Sequence, residues 1–216
     1  MYTTAAAGGH VARRGRAGWA GRVAAGLAAL LAASSAGAVA LPPPWSPRTY
    51  VEVPGDMLRI EGDLGAGLIQ KVERFLRDAP PGRPAYLLLD SPGGLLGPSM
   101  RAAWMLERHP DLHTHISGDC ASACVALFMA GDVHTMAPGA LLGVHQSSPA
   151  DESIEAVWTG PDAEFMEYLA LITKNGGTRH LVEHALATPG DDIYEYDALR
   201  IDRGVRGVRV IDAEGR

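Results

Sequence analysis

Three short segments hold the residue types of acyl-transfer chemistry: Asp90-Ser91-Pro92-Gly93-Gly94, Gly118-Asp119-Cys120-Ala121-Ser122-Ala123 and Gly143-Val144-His145-Gln146. A serine hydroxyl attacks well only when a base takes its proton, and histidine is the usual base near neutral pH. The oxyanion formed on attack needs backbone N–H donors, and glycine lets backbone approach closely. Ser122, His145 and the Gly93-Gly94 pair therefore make a candidate hydrolase set. Singly, each has an ordinary reading. Ser122 suits a helix cap, Ser91 to Gly94 suits a turn, and His145 suits a structural histidine. Their order and shared placement separate them from those readings.

The placement comes from the elements around them. Tyr86 to Leu89 is a continuous apolar run that reads as a buried strand. The Ser91 to Gly94 turn follows it and opens a helix reaching about Arg108. Leu112 to Ser117 reads as the next strand, and Cys120 to Ala130 as an apolar, helix-like stretch opened by Ser122. Val133 to Met136 and Ala140 to Val144 are short strands, the second ending at His145. Upstream, Arg48 to Val53 and Met57 to Glu61 alternate like strands, and Gly65 to Ala79 places Leu68, Val72, Phe75 and Leu76 on one helical face. Pro161 to Ala187 is mostly helical, broken at Asn175-Gly176-Gly177. Tyr196 to Arg203 reads as a short helix and Val205 to Ile211 as a last strand. Alternating strands and helices predict an α/β domain with parallel strands and right-handed crossovers. The carboxyl ends of such strands share one edge, where ligands bind.

In this order, Asp90-Ser91-Pro92-Gly93-Gly94, then Cys120-Ala121-Ser122-Ala123-Cys124 with Gly131, then Val144-His145-Gln146 resemble the proteolytic subunit of the Clp protease. The wider group is the Clp-protease/crotonase superfamily, and the likeness is greatest to its exported, Clp-protease-like branch. It spans about Val53 to Ile211. It implies a spiral of βαβ turns with a helical excursion at Pro161 to Ala187. It implies Ser122 as nucleophile, His145 as base, and the amides of Gly94 (or Gly93) and Ala123 as oxyanion hole. It implies a third member among Asp191-Asp192, with Asp191 aligning best and Asp192 as runner-up. Pro189-Gly190-Asp191 also reads as a solvated turn. The implied activity is peptide hydrolysis without a cofactor by a homo-oligomer. Phe165, Met166, Tyr168, Leu169, Leu171 and Ile172 form either core or the subunit interface.

Composition bounds the setting. The chain has 216 residues, 47% of them hydrophobic, which suits one domain, expected over 45–216. Residues 1–40 read as a secretory signal: Arg13, Arg14, Arg16 and Arg22, then the apolar run Val23 to Leu31, then small residues with cleavage near 38–40. Pro42-Pro43-Pro44 is a stiff spacer. The expected location is the periplasm or outside the cell, with membrane contact only if the signal stays uncleaved. Export makes an ATP-driven partner unexpected. Beyond the signal, 15 basic residues face 25 acidic ones, which argues against nucleic acid. Cys120 and Cys124 bracket Ser122 and can pair after export, or pack as two free thiols.

Rival chemistries have less behind them. His180-Leu181-Val182-Glu183-His184 matches H-x-x-E-H, a zinc-peptidase pattern, but lacks an evident third ligand. His113-Thr114-His115 alternates along a strand, with both rings expected on a surface or rim. A lysine base would have to be Lys71 or Lys174. No phosphate-binding glycine motif is present. A catalytically silent peptide-binding protein on the same fold is the alternative from another class.

Overall fold

Apolar runs alternating with amphipathic stretches become strands and helices in the expected order. The structure, a computed structural model, describes residues 56–147 and 161–211. The expected signal (1–40), the proline spacer and the strand expected over Arg48 to Val53 lie outside the described residues. The elements are β1 (Met57–Glu61), α1 (Leu68–Asp78), β2 (Ala85–Ser91), α2 (Leu96–Leu106), β3 (Leu112–Ala121), α3 (Cys124–Met129), β4 (Val133–Met136), β5 (Leu141–Val144), α4 (Ala163–Lys174), α5 (Arg179–Ala187), β6 (Tyr194–Tyr196), α6 (Ile201–Gly204) and β7 (Arg209–Val210).

The strands run β1-β2-β3-β4-β7, all parallel, while β5 leaves this path to pair with β3 and, antiparallel, with β6. Strand β3 serves two partners. His113 to Ile116 pair with β4, and Asp119 to Ala121 pair with β5. This change of partner turns the sheet and brings the end of β5 beside the end of β3.

Helix α1 buries Leu68, Val72 and Phe75, one face at helical spacing. Helix α3 is apolar on every side, and all six of its residues are buried. A helix of that kind belongs in the core, and here it forms a solid backing behind Ser122. Asp162 and Thr178 cap α4 and α5 by accepting the amides of Phe165 and Leu181. Phe165, Tyr168, Leu169, Leu171 and Ile172 are buried within the chain's own core, and of the six apolar residues singled out there Met166 is the exposed one. The open choice between core and interface resolves to core for those five residues.

Four local expectations need correction. Cys120-Ala121 is strand, because β5 offers these residues a partner that local periodicity does not reveal. Tyr196 is strand for the same reason, paired with Leu142, and the helix after it is only α6. The last strand is two residues long, since Gly207 at φ 75° turns the chain first. His115 is buried, with Nδ1 bonded to Thr135 Oγ1 at 2.9 Å; it is not at a rim.

Candidate active site

Ser122 occupies the turn between β3 and α3. Its φ is 57°, a left-handed conformation that side-chain-bearing residues rarely adopt. A serine on such a sharp strand-to-helix turn presents its hydroxyl outward, as nucleophile elbows do. The turn is anchored on both sides. The Ser122 amide donates to the Gly143 carbonyl at 2.9 Å, and its carbonyl accepts from the Val125 amide at 3.1 Å. Cys120 and Cys124 are joined in a disulfide, with Cα atoms 5.3 Å apart. Both are fully buried. Along an ideal helix, residues at i and i+4 present their sulfurs poorly for bridging. Here Cys120 is still in strand, and the bend at Ser122 supplies the approach.

The Ser91 to Gly94 turn lies directly against this bend. A Cβ on Gly93 (φ 102°) would stand 2.6 Å from the Ala121 carbonyl oxygen and 2.6 Å from Ser122 Cβ. A Cβ on Gly94 (φ 146°) would overlap the Leu64 backbone at 2.3 Å. Neither position admits a side chain. The two glycine amides differ in use. Gly93 N–H donates to Ser91 Oγ at 3.1 Å, whereas those of Gly94 and Ala123 make no hydrogen bond among the described residues. Among the described residues two amides are thus unengaged, that of Ala123 directly after Ser122 and that of Gly94 on the facing turn.

His145 follows β5 and is half-buried. Burial lowers its pKa from the usual 6.5, partly countered by the Gln146 backbone. Its Nδ1 is buried and makes no hydrogen bond among the described residues. The next residue holds the strand end in place: Gln146 N–H donates to the Thr188 carbonyl at 2.9 Å, and its Nε2 to the Leu186 carbonyl at 2.7 Å. Asp191 and Asp192 precede Tyr194, which pairs with Val144, so both lie near the strand end that carries His145. Asp191 is exposed. Asp192 is half-buried, and its Oδ1 accepts the Ile193 amide at 2.8 Å.

The remaining candidates have other partners. His184 stacks on Tyr194, His180 Nδ1 meets the Tyr196 hydroxyl at 2.9 Å, and Glu183 pairs with Arg179. No three His, Cys, Asp or Glu side chains converge to hold a metal among the described residues. Lys174 reaches Glu107 at 3.1 Å, and Lys71 is exposed on α1. No described helix is long and apolar enough to cross a membrane.

Sequence reasoning placed Ser91 and Asp90 in a motif but gave neither side chain a role. Buried Ser91 Oγ donates to the Gly62 carbonyl at 2.7 Å while accepting Gly93 N–H. A hydroxyl accepting the amide two residues on is a familiar turn device, so Ser91-Pro92-Gly93 did carry that signal. Asp90 Oδ1 accepts the Asp119 amide at 3.1 Å across two strands, and no local pattern announces such a contact.

No protein-family model and no curated protein matches the sequence. Among solved structures, the chain is similar to a point mutant of ClpP1 from Listeria monocytogenes, with a TM-score of 0.58 and 19% identity. The match covers 74% of this chain and 94% of that one. The fold is therefore the Clp-protease-like α/β fold that the three motifs imply.

Proposed function

We propose that the protein is a serine-type hydrolase of peptides, with Ser122 as nucleophile and His145 as base. One observation carries the reading: Ser122 is held at positive φ on a strand-to-helix turn, with the Gly93 backbone pressed against it. Ser122 Oγ attacks the substrate carbonyl while the proton passes to His145. The free amides of Ala123 and Gly94 receive the oxyanion, Gly94 being favoured over Gly93 because the Gly93 amide is already engaged. The imidazolium then protonates the leaving amine. Water, activated by the same histidine, releases the acyl group. Burial favours the neutral form of His145, the state a base requires.

Asp192 suits the third position better than Asp191, since it is closer to the Val144–Tyr194 pair and less exposed. It would orient the imidazole and stabilise its charged form. The signal-like residues 1–40 support export to the periplasm or beyond, where no ATPase partner is expected, and the Clp-protease-like fold supports a homo-oligomer. The unpartnered Nδ1 of His145 favours the second reading, a peptide-binding protein that no longer cleaves.

Incubating the mature chain and Ser122→Ala with a diverse peptide mixture separates the two by mass spectrometry. Hydrolysis by the wild type alone supports the hydrolase. Intact peptides retained equally by both proteins support the binding module.

A further inference from the structure

Asp90 stands where the loops on either side of Ser122 meet. The β2–β3 register slips there: Leu89 faces Ile116, yet Ser91 faces Cys120. Two steps along β2 are matched by four along β3, so Ser117 to Asp119 bulge out opposite Asp90. Bulges re-aim the residues that follow them. This one lies where β3 leaves β4 and takes up β5, just before Cys120.

The Asp90 side chain fills the bulge. Its Oδ1 accepts the Asp119 amide at 3.1 Å. Its carboxylate rests on Gly118, where a Cβ would lie 2.3 Å from Oδ1 and 2.7 Å from Oδ2. Gly118 thus leaves room for the carboxylate on the strand. Asp90 also belongs to the other loop. Its carbonyl accepts the Gly62 amide at 3.0 Å, and the next residue, Ser91, holds both Gly62 and the Gly93 amide.

We infer that Asp90 is a positioning residue: its carboxylate clamps the β3 bulge to the base of the Gly93-Gly94 turn and so sets the spacing between the two amides flanking Ser122. This rests on the hydrolase reading for its consequence, though not for its geometry. Asp90 does not touch substrate in this role. It acts through Asp119 and Gly118 on the Ser122 turn, and through the chain on Gly94. Catalysis is sensitive to such spacing, since a misplacement of about 1 Å can cost on the order of a hundredfold in rate.

Three variants test the clamp: Asp90→Ala, which removes the acceptor; Asp90→Asn, which keeps an acceptor oxygen; and Gly118→Ala, which pushes the carboxylate off the strand. Amide hydrogen exchange over 117–123 and 91–95 reads geometry without needing activity. Asp90→Ala should speed exchange about fivefold to tenfold in both segments, the scale of one lost hydrogen bond. Asp90→Asn should restore it to within about twofold of wild type. Gly118→Ala should resemble Asp90→Ala, and the double variant should be no worse than either single, because both break one contact. Unchanged exchange in Asp90→Ala, no rescue by Asn, or additive effects of Asp90→Ala and Gly118→Ala would overturn the clamp. Peptide turnover is read in parallel, and kcat should fall with KM little changed. A wild type that cleaves nothing overturns the hydrolase reading, while hydrogen exchange still decides the clamp.

Discussion

The two halves of the candidate site are built differently. The Ser122 half is over-determined: Ser122 is held by the Gly143 carbonyl, a buried disulfide, the all-apolar α3 that follows it and Gly93, which admits no Cβ against it. The base half is sparse. His145 follows a four-residue strand, its Nδ1 makes no hydrogen bond among the described residues, and the Oδ1 of nearby Asp192 accepts a backbone amide. In the proposed mechanism the hydroxyl and the oxyanion amides must be in place before substrate arrives, because preorganised donors need no rearrangement during reaction. In the proposed mechanism the imidazole is placed by backbone, through Gln146, and its acid partner would engage only during turnover.

Breaking the rigid half should do the most damage. Gly93→Ala drives a methyl into the Ala121 carbonyl and Ser122 Cβ, so turnover should fall by a hundredfold or more, roughly the cost of losing an oxyanion donor. Circular dichroism would check that the fold survives; near-wild-type turnover in a folded Gly93→Ala protein would show that the two loops are not in register. Replacing both Cys120 and Cys124 by Ala should cost about tenfold in turnover. Melting should shift little, because the loop-closure contribution grows with loop length and this loop is very short. A large stability loss with unchanged turnover would make the bridge a fold staple rather than a support for Ser122.

The sparse half should respond less. Asp192→Asn should reduce kcat by about tenfold, and Asp191→Asn should stay within about twofold, since neither carboxylate is bonded to the ring beforehand. The reverse order would move the role to Asp191. The lowered pKa of His145 places the acid limb of the kcat/KM profile below the ordinary value of 6.5, with activity present above it and lost as pH falls and the ring protonates.

Away from both halves, buried His115 is held at about 4 against 6.5 in the unfolded chain. Its neutral form is the one the fold accepts. Stability should be full above pH 6.5 and fall as pH drops toward 4, by about 3 kcal/mol in all. Urea titrations of wild type and His115→Gln at pH 7 and pH 4.5 would show this as a smaller loss in the variant.

The same contrast explains what could be read from residue types. Val72 and Phe75 at helical spacing, Leu87 to Leu89 in an unbroken run, and the order of the three motifs all report on local rules or direct chemistry, and the structure keeps them. Cys120-Ala121 and Tyr196 looked like helix because their strand partners are distant: Leu142 is more than twenty residues past Cys120 and more than fifty before Tyr196. The contact of the Asp90 side chain was invisible for the same reason, its partner lying twenty-nine residues away. His115 looked exposed because alternation cannot tell a solvated sheet face from a covered one.

The most direct measurement is covalent. The purified protein is treated with a fluorophosphonate, which forms a stable adduct only with an activated serine, and the adduct is located by peptide mass. Label should appear on Ser122 in the wild type and be absent from Ser122→Ala and His145→Ala, with both variants folded. Equal labelling of wild type and Ser122→Ala, or a wild type that takes no label while remaining folded, would contradict the assignment of Ser122 as the nucleophile.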